Sequence, residues 1–135
     1  MKLALDHVVL EVRDVEVTAA FYREVLGLAP VRLEEWRRGE APFVSGRVSA
    51  ETVLDYFPPA MWGDRHRAQN PNHLCFTLSR QGVAALRKRL ALHDVPIARE
   101  SPRNFGALGW GVSLYFHDPD GVRLEARYYP ARPDA

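Results

Sequence analysis

Apolar and polar positions along this chain switch between two periods, and the switches delimit its elements. From Leu5 to Val12, the residues Val8, Leu10 and Val12 face one way while His7, Val9 and Glu11 face the other, the alternation of a strand. Asp14 follows as an N-cap with Glu16 in the first turn, and Val17, Phe21 and Val25, with Tyr22 and Leu26 beside them, take helical spacing. Gly27 is a stop signal, so the pattern predicts a helix over Val15 to Leu26. Leu28 to Trp36, Phe43 to Val48 and Glu51 to Phe57 read as three further strands. The stretch 58–71 holds Pro58, Pro59 and Pro71, has no period, and reads as a linker or surface loop.

The pattern then restarts. Asn72 to Leu78 alternates as a strand, with His73, Cys75 and Thr77 on one face. Ser79 can cap a helix whose stripe is Val83, Leu86 and Leu90. Val95 to Arg99 reads as a strand, and Glu100 to Gly109 as a glycine-containing loop that could serve as a lid on Gly106 and Gly109. Ser113 to Tyr129 is a hairpin about the turn Asp118-Pro119-Asp120-Gly121. One apolar face carries Val112, Leu114, Phe116, Leu124, Ala126 and Tyr128; Ser113, Tyr115, His117, Arg123, Glu125 and Arg127 share the other. The expected organisation is one domain with a first module over 1–57, a linker over 58–71 and a second module over 72–130, each βαβββ-like.

The two modules read as a degenerate internal repeat. Asp6-His7-Val8 before a capped helix is matched by Asn72-His73-Leu74 before another, and Leu54-Asp55 in the last strand of one half by Leu124-Glu125 in the last strand of the other. Each half therefore carries a His and a carboxylate at corresponding places. A lone strand His or Glu is ordinarily a surface or hydrogen-bonded residue. The paired placement is what singles these four out. If the halves pair about a pseudo-twofold axis, His7, Asp55, His73 and Glu125 converge, and such donors suit Zn, Ni, Co, Mn or Fe(II). His66, His93 and His117 read as solvated, and Cys75 as a thiol on the His73 face.

Composition removes other classes. The 135 residues are 47% hydrophobic and 26% charged with a formal net charge of +1, so nothing marks a nucleic-acid or anionic-membrane partner. The basic run Arg87-Lys88-Arg89 sits on the polar side of a helix. One cysteine excludes an intramolecular disulfide and a thiolate cluster. With no signal-peptide pattern or long apolar run, the expectation is a soluble, cytoplasmic protein. No Walker loop, nucleophile elbow or Rossmann glycine pattern is present.

These motifs resemble the vicinal oxygen chelate superfamily of glyoxalase I, extradiol dioxygenases, fosfomycin-resistance thiol transferases and bleomycin-binding proteins. The segments that carry the resemblance are 6–14, 21–28, 72–74 and 113–125, in order along nearly the whole chain. The resemblance implies an α+β fold of two βαβββ modules forming a cup-shaped mixed sheet, with modules paired across a homodimer. It implies His7, His73 and Glu125 as metal ligands, with Asp55 near the position of a fourth. Ser113, Tyr115 and Arg127 would line the substrate pocket, and Glu125 or Asp55 would act as base. Val9 stands where the fosfomycin enzymes carry Thr or Cys.

Two functions are weighed. One is a glyoxalase-type lyase or isomerase whose divalent ion chelates neighbouring oxygens of a small substrate, with an extradiol-type dioxygenase as its variant. The other is a metal-free small-molecule (drug) binder with Trp36, Phe43, Trp62 and Trp110 as aromatic walls.

Overall fold

The computed structural model describes residues 1–132, which fall into two compact units, 1–70 and from 71 onward. The first unit runs β1 (His7–Glu11), α1 (Val15–Leu26), β2 (Ala29–Val31), α2 (Leu33–Arg37), β3 (Val44–Arg47) and β4 (Val53–Phe57). Its sheet has the order β1-β4-β3-β2, with β1 and β4 parallel and the other pairs antiparallel. The second unit runs β5 (His73–Thr77), α3 (Arg80–Leu92), β6 (Arg99–Gly106), β7 (Gly109–His117) and β8 (Arg123–Tyr128), and its sheet has the matching order β5-β8-β7-β6. The α+β class and the two-module plan expected from the sequence are what the chain adopts.

Local chemistry sets the helix ends. Asp14 accepts a hydrogen bond from the Val17 N–H at 3.1 Å, and Gly27, at φ 74°, closes α1 with Gly27 N–H to Arg23 O and Leu28 N–H to Tyr22 O, both 3.0 Å. Ser79 caps α3 by accepting from Gly82 N–H at 2.9 Å, and Val83, Leu86 and Leu90 are its buried residues, as the spacing predicts.

The structure corrects three readings. The stripe of α1 is Val15, Thr18, Ala19, Tyr22 and Val25, while Val17 is 50% exposed. The small side chains Thr18 and Ala19 occupy the face against the sheet, a signal that a search for large apolar residues passes over. The expected strand over Leu28 to Trp36 stops at Val31. Arg32 takes a left-handed φ of 66°, and a one-turn helix follows, with Glu34 and Glu35 in its first turn and Arg37 in its last. Arg37 clasps Glu16 of α1 through two hydrogen bonds of 2.6 and 2.7 Å. Finally, the expected loop and lid at 100–109 is strand β6 joined to β7 by a two-residue turn. Its alternation is hidden because this edge strand is polar, carries Pro102, and shifts register between Ser101 and Asn104.

The core of the first unit is Leu10, Val12, Tyr22, Val44, Leu54 and Tyr56, with the Tyr22 and Tyr56 rings stacked at 5.4 Å. The segment after β4 is tied to this unit by side-chain contacts. Trp62 is buried and donates its indole N–H to Phe57 O at 3.0 Å. Glu11, only 6% exposed, accepts from both terminal nitrogens of Arg65 and from Gln69 N–H at 2.6 Å, while the Asn70 amide brackets the Glu11 backbone. Those hydrogen bonds, Arg65 foremost, hold the Glu11 carboxyl below its ordinary pKa against the opposing effect of burial.

Because the folded value is the lower one, this contribution is present above the unfolded carboxylate's pKa and is lost as pH falls through the folded one. Glu11→Ala is expected to cost about 2 kcal/mol, the scale of hydrogen bonds to a charged group, and to expose the 65–70 segment. Limited trypsin cleavage after Arg65 and Arg67 checks this. Unchanged cleavage would show that Glu11 does not hold the segment.

In the second unit, Leu114, Phe116, Leu124 and Ala126 form the buried apolar face of the β7–β8 hairpin. The turn between them is built by Asp118, whose Oδ1 accepts from Asp120 N–H at 2.8 Å and Val122 N–H at 2.9 Å, with Gly121 at φ 81°. The polar face of β8 is buried as well, since Glu125 and Arg127 are each 4% exposed. That face carries the candidate site. No helix among the described residues is long and apolar enough to cross a membrane.

Candidate functional site

Strand register turns the internal repeat from a sequence pattern into geometry. In the first unit His7 lies opposite Val53, two residues before Asp55; in the second His73 lies opposite Arg123, two residues before Glu125. Asp55 faces Val9 and Ser45 across its two neighbours, and Glu125 faces Cys75 and Tyr115. The two histidines and the two carboxylates therefore hold equivalent places, and both pairs stand on one face of their sheet.

In the second unit His73 Nε2 stands 3.4 Å from Glu125 Oε1. Its other ring nitrogen, Nδ1, is 2.8 Å from Asn72 Oδ1. With the proton on Nδ1, donated to Asn72 Oδ1, Nε2 offers its lone pair on the side of Glu125. Glu125 accepts from Ser113 Oγ–H at 2.7 Å, and Tyr115 and Cys75 also hydrogen-bond it. Burial opposes its charge, but these bonds and then Arg127 outweigh burial and hold the carboxyl below its ordinary value. Burial, followed by the Glu125 charge, pushes the Cys75 thiol up to about 12, so at neutral pH the thiol is a donor to Glu125. Tyr115 is raised as well, by burial first, then by its hydrogen bond to Glu125 and then by the Glu125 charge, and its hydroxyl accepts from Asn104 Nδ2 at 2.7 Å.

Arg127 completes this cluster. Its Nε lies 3.7 Å from Glu125 Oε2 and its Nη2 donates to Asn104 O at 2.5 Å. A side chain on Gly106 would start 1.6 Å from Arg127 Nη1, and one on Gly111 would meet the same guanidinium at 3.2 Å. The two glycines leave the space in which the buried cation lies. The readings of Gly106 and Gly109 as lid hinges give way to this role for Gly106 and to a tight turn at Gly109, φ 102°.

In the first unit His7 Nδ1 is 2.6 Å from Asp6 Oδ1, and that carboxylate, then the charge of Asp55, raise the His7 pKa. Asp55 is 7% exposed and accepts from Ser45 Oγ–H at 2.6 Å. The other histidines stand apart from these clusters: His66 is exposed in the segment after Trp62, His93 follows the last turn of α3, and His117 closes β7 at the surface. Of the proposed aromatic walls, Trp62 is buried in the first unit, Trp36 and Phe43 are half-buried, and Trp110 is 51% exposed.

Spacing alone singled out the histidines and carboxylates but not the residues that orient them. Asp6 and Asn72 were legible only as marks of the repeat; their position directly before each His was the available signal. Asn104, inside the misread strand β6, gave none. The donor set suits a divalent ion. Both imidazoles are anchored through Nδ1 with Nε2 left to coordinate, and the carboxylate is ionised and oriented, which is the supporting arrangement metal-binding histidines and carboxylates require. Within neither unit do three His, Cys, Asp or Glu side chains, among the described residues, group closely enough to hold a metal.

Paired β-α-β units of matching strand order, each with an anchored His and a carboxylate in the same register, define the glyoxalase class of fold. The model of the Glyoxalase/Bleomycin resistance protein/Dioxygenase superfamily matches residues 4–126, and the chain belongs to that superfamily. Among relatives, it is 30% identical over 124 residues to Glyoxylase I 4 of Arabidopsis thaliana, covering 90% of this chain and 68% of the relative. It is 29% identical over 129 residues to the glutathione transferase FosA of Serratia marcescens, covering 93% and 80%. The crystal structure of a Salmonella typhimurium virulence protein superposes with a TM-score of 0.75 at 23% identity, covering 96% of this chain and 98% of that one. Identities this even across differently named relatives leave the reaction to the site.

Proposed function

We propose that the protein is a divalent-metal-dependent enzyme of glyoxalase type, a lyase or isomerase acting on a small substrate that presents two neighbouring oxygens. The observation that carries this reading is the approach of His73 Nε2 to Glu125 Oε1 at 3.4 Å with Nδ1 tied to Asn72, repeated in outline at Asp6-His7 and Asp55. In this proposal His7, His73 and Glu125 are the ligands of a Ni, Co, Zn, Mn or Fe ion, and a homodimer of cytoplasmic chains shares its sites between partners. When bound, the ion would supply Lewis-acid polarisation of the substrate oxygens.

The remaining work falls to the chain's own groups. Ser113 and Tyr115 hold Glu125 in orientation, and in this reading Ser113, Tyr115 and Arg127 would line the substrate pocket. Asp55, oriented by Ser45, is the carboxylate free to take a proton from carbon next to a carbonyl if Glu125 remains a ligand. The test is exchange of solvent deuterium into a small α-hydroxyketone under nitrogen with Ni, Co or Zn added. The expected result is exchange that falls on the order of 10²-fold in Asp55→Asn, the lower end of the effect of a general base. Turnover that needs oxygen and Fe(II) or Mn(II) would move the reading to a dioxygenase. Tight binding of small aromatic molecules without metal would move it to a binder.

A further inference from the structure

The apolar face of the second unit's hairpin is covered unevenly. Phe116 pairs with Leu124, Leu114 with Ala126, and Val112 with Tyr128. The first two rows are buried, whereas Val112 and Tyr128 are half-buried. The cause lies in the start of α3. That helix buries Val83, Leu86 and Leu90, but in the turn after Arg80, which lies over Tyr128, Val83 is followed by Ala84. A one-carbon side chain at this place leaves space uncovered. The result is a cavity of about 200 Å³ between Val83 and Ala84 of α3, Val112 and Leu114 of β7, and Tyr128 of β8.

Two exposed arginines complete the lining, and they differ. Arg87 is paired with Glu100 of β6, and the pair cancels both charges. Arg80 is not spent on an acid. Its guanidinium carbon lies 5.1 Å from the Tyr128 ring centroid, and among the described residues no carboxylate is in salt-bridge reach of it. A guanidinium lying over an aromatic ring is held in place while its N–H edge remains available. Size and charge together then define an occupant. Pockets for drug-sized ligands measure about 300–1,000 Å³, so this one takes a single ring or a short chain. One uncompensated cation beside an apolar wall calls for one negative charge on an apolar body, and a planar fork matches a carboxylate.

We infer that the cavity between α3 and the β7–β8 hairpin binds a small monocarboxylate with an apolar body, an aryl or short-chain carboxylic acid. The ring or chain lies against Val112 and Tyr128, and the carboxylate meets Arg80. This site is separate from the His73–Glu125 centre and needs no metal. Val112 and Leu114 face α3, while Ser113 between them turns to Glu125 on the other face of the sheet. The two sites share strand β7 but no side chain.

The test is an NMR titration of the isotope-labelled, metal-free full chain with benzoate, with its neutral isostere benzamide, and with acetate. The expected result is saturable benzoate shifts at Val83, Ala84, Val112, Leu114 and Tyr128. Benzamide and acetate should each bind about tenfold or more weakly, the first lacking the charge-assisted hydrogen bond and the second the buried ring. Arg80→Gln should lower benzoate affinity about tenfold, to the level of benzamide, and leave benzamide unchanged. Arg80→Lys should recover part of the loss, and Ala84→Leu, which fills the cavity, should remove both ligands. Arg80 and Ala84 are exposed helix positions; should Ala84→Leu nevertheless disturb α3, the comparison of benzoate with benzamide in Arg80→Gln still decides. No saturable binding, equal affinity for benzoate and benzamide, or wild-type affinity in Arg80→Gln overturns the inference. Shifts centred instead on His73 and Tyr115 overturn it as well, since they would put the carboxylate on the opposite face.

Discussion

Glu125→Gln is expected to leave the purified protein without stoichiometric metal and to lower kcat/KM by roughly 10³-fold, on the scale of removing a group that stabilises charge in the transition state. The substitution keeps shape and removes charge. An amide is a poor ligand for the ions that imidazole and carboxylate bind, and its NH₂ would point at donors that now face Oε1 or Oε2. It also leaves Arg127, 4% exposed and 3.7 Å from the former carboxylate, without its nearest anion. A further loss of about 2–3 kcal/mol of metal-free stability follows, because the cost of breaking a buried pair falls on the partner left behind. Glu125→Asp separates the two effects. It keeps a charge near Arg127 but withdraws the ligand by one methylene, so it should recover stability more than metal. Metal content and urea midpoints of the three proteins check this, and equal metal in all three would remove Glu125 from the ligand set.

Gly46→Ala is expected to be the most damaging single-methyl change in the first unit, at about 3 kcal/mol, the upper part of the range for overpacking a rigid core. A Cβ there would sit 2.0 Å from the Tyr56 hydroxyl and 3.0 Å from the ring carbon that bears it. The ring cannot retreat, since Tyr56 is fully buried and stacked on Tyr22, itself fully buried. Gly46 is opposite Leu54 in the strand pair that also holds Ser45 and Asp55, so the strain reaches the first unit's carboxylate. Removing the hydroxyl should relieve it: Gly46→Ala/Tyr56→Phe is predicted to be more stable than Gly46→Ala alone, a negative coupling that a double-mutant cycle of thermal unfolding measures. Additive losses would mean the methyl is accommodated elsewhere.

The contrast between these two sites explains what could be read before the structure. His7, His73, Asp55 and Glu125 were legible because a repeat doubles each signal, and the strand period fixes which face a residue takes once its neighbours are known. The hairpin over 113–129 and both helix caps were legible for the same local reasons: Asp118, Gly121, Asp14 and Ser79 act on their own backbone. Strand β6 was not legible, because an edge strand takes its stability from backbone pairing with β7 and needs no apolar alternation. The one-turn helix at 33–37 was hidden by the apolar residues around it; its ion pair with Glu16 is 21 positions away in sequence. Burial of Arg127 depends on the absence of side chains at Gly106 and Gly111, and a glycine in a sequence does not announce whose space it leaves. Sequence spacing likewise fixed Tyr128 on the apolar face but not Arg80, which lies over its ring.

The most direct measurement is elemental analysis of the protein purified without chelators or an affinity tag, beside Glu125→Ala prepared in the same way. The metal-centre account predicts about one Ni, Co, Zn, Mn or Fe per chain in the wild type and a loss of that metal in the variant. Wild-type protein that is metal-free and refuses added metal, or a variant that keeps its full complement, would contradict it.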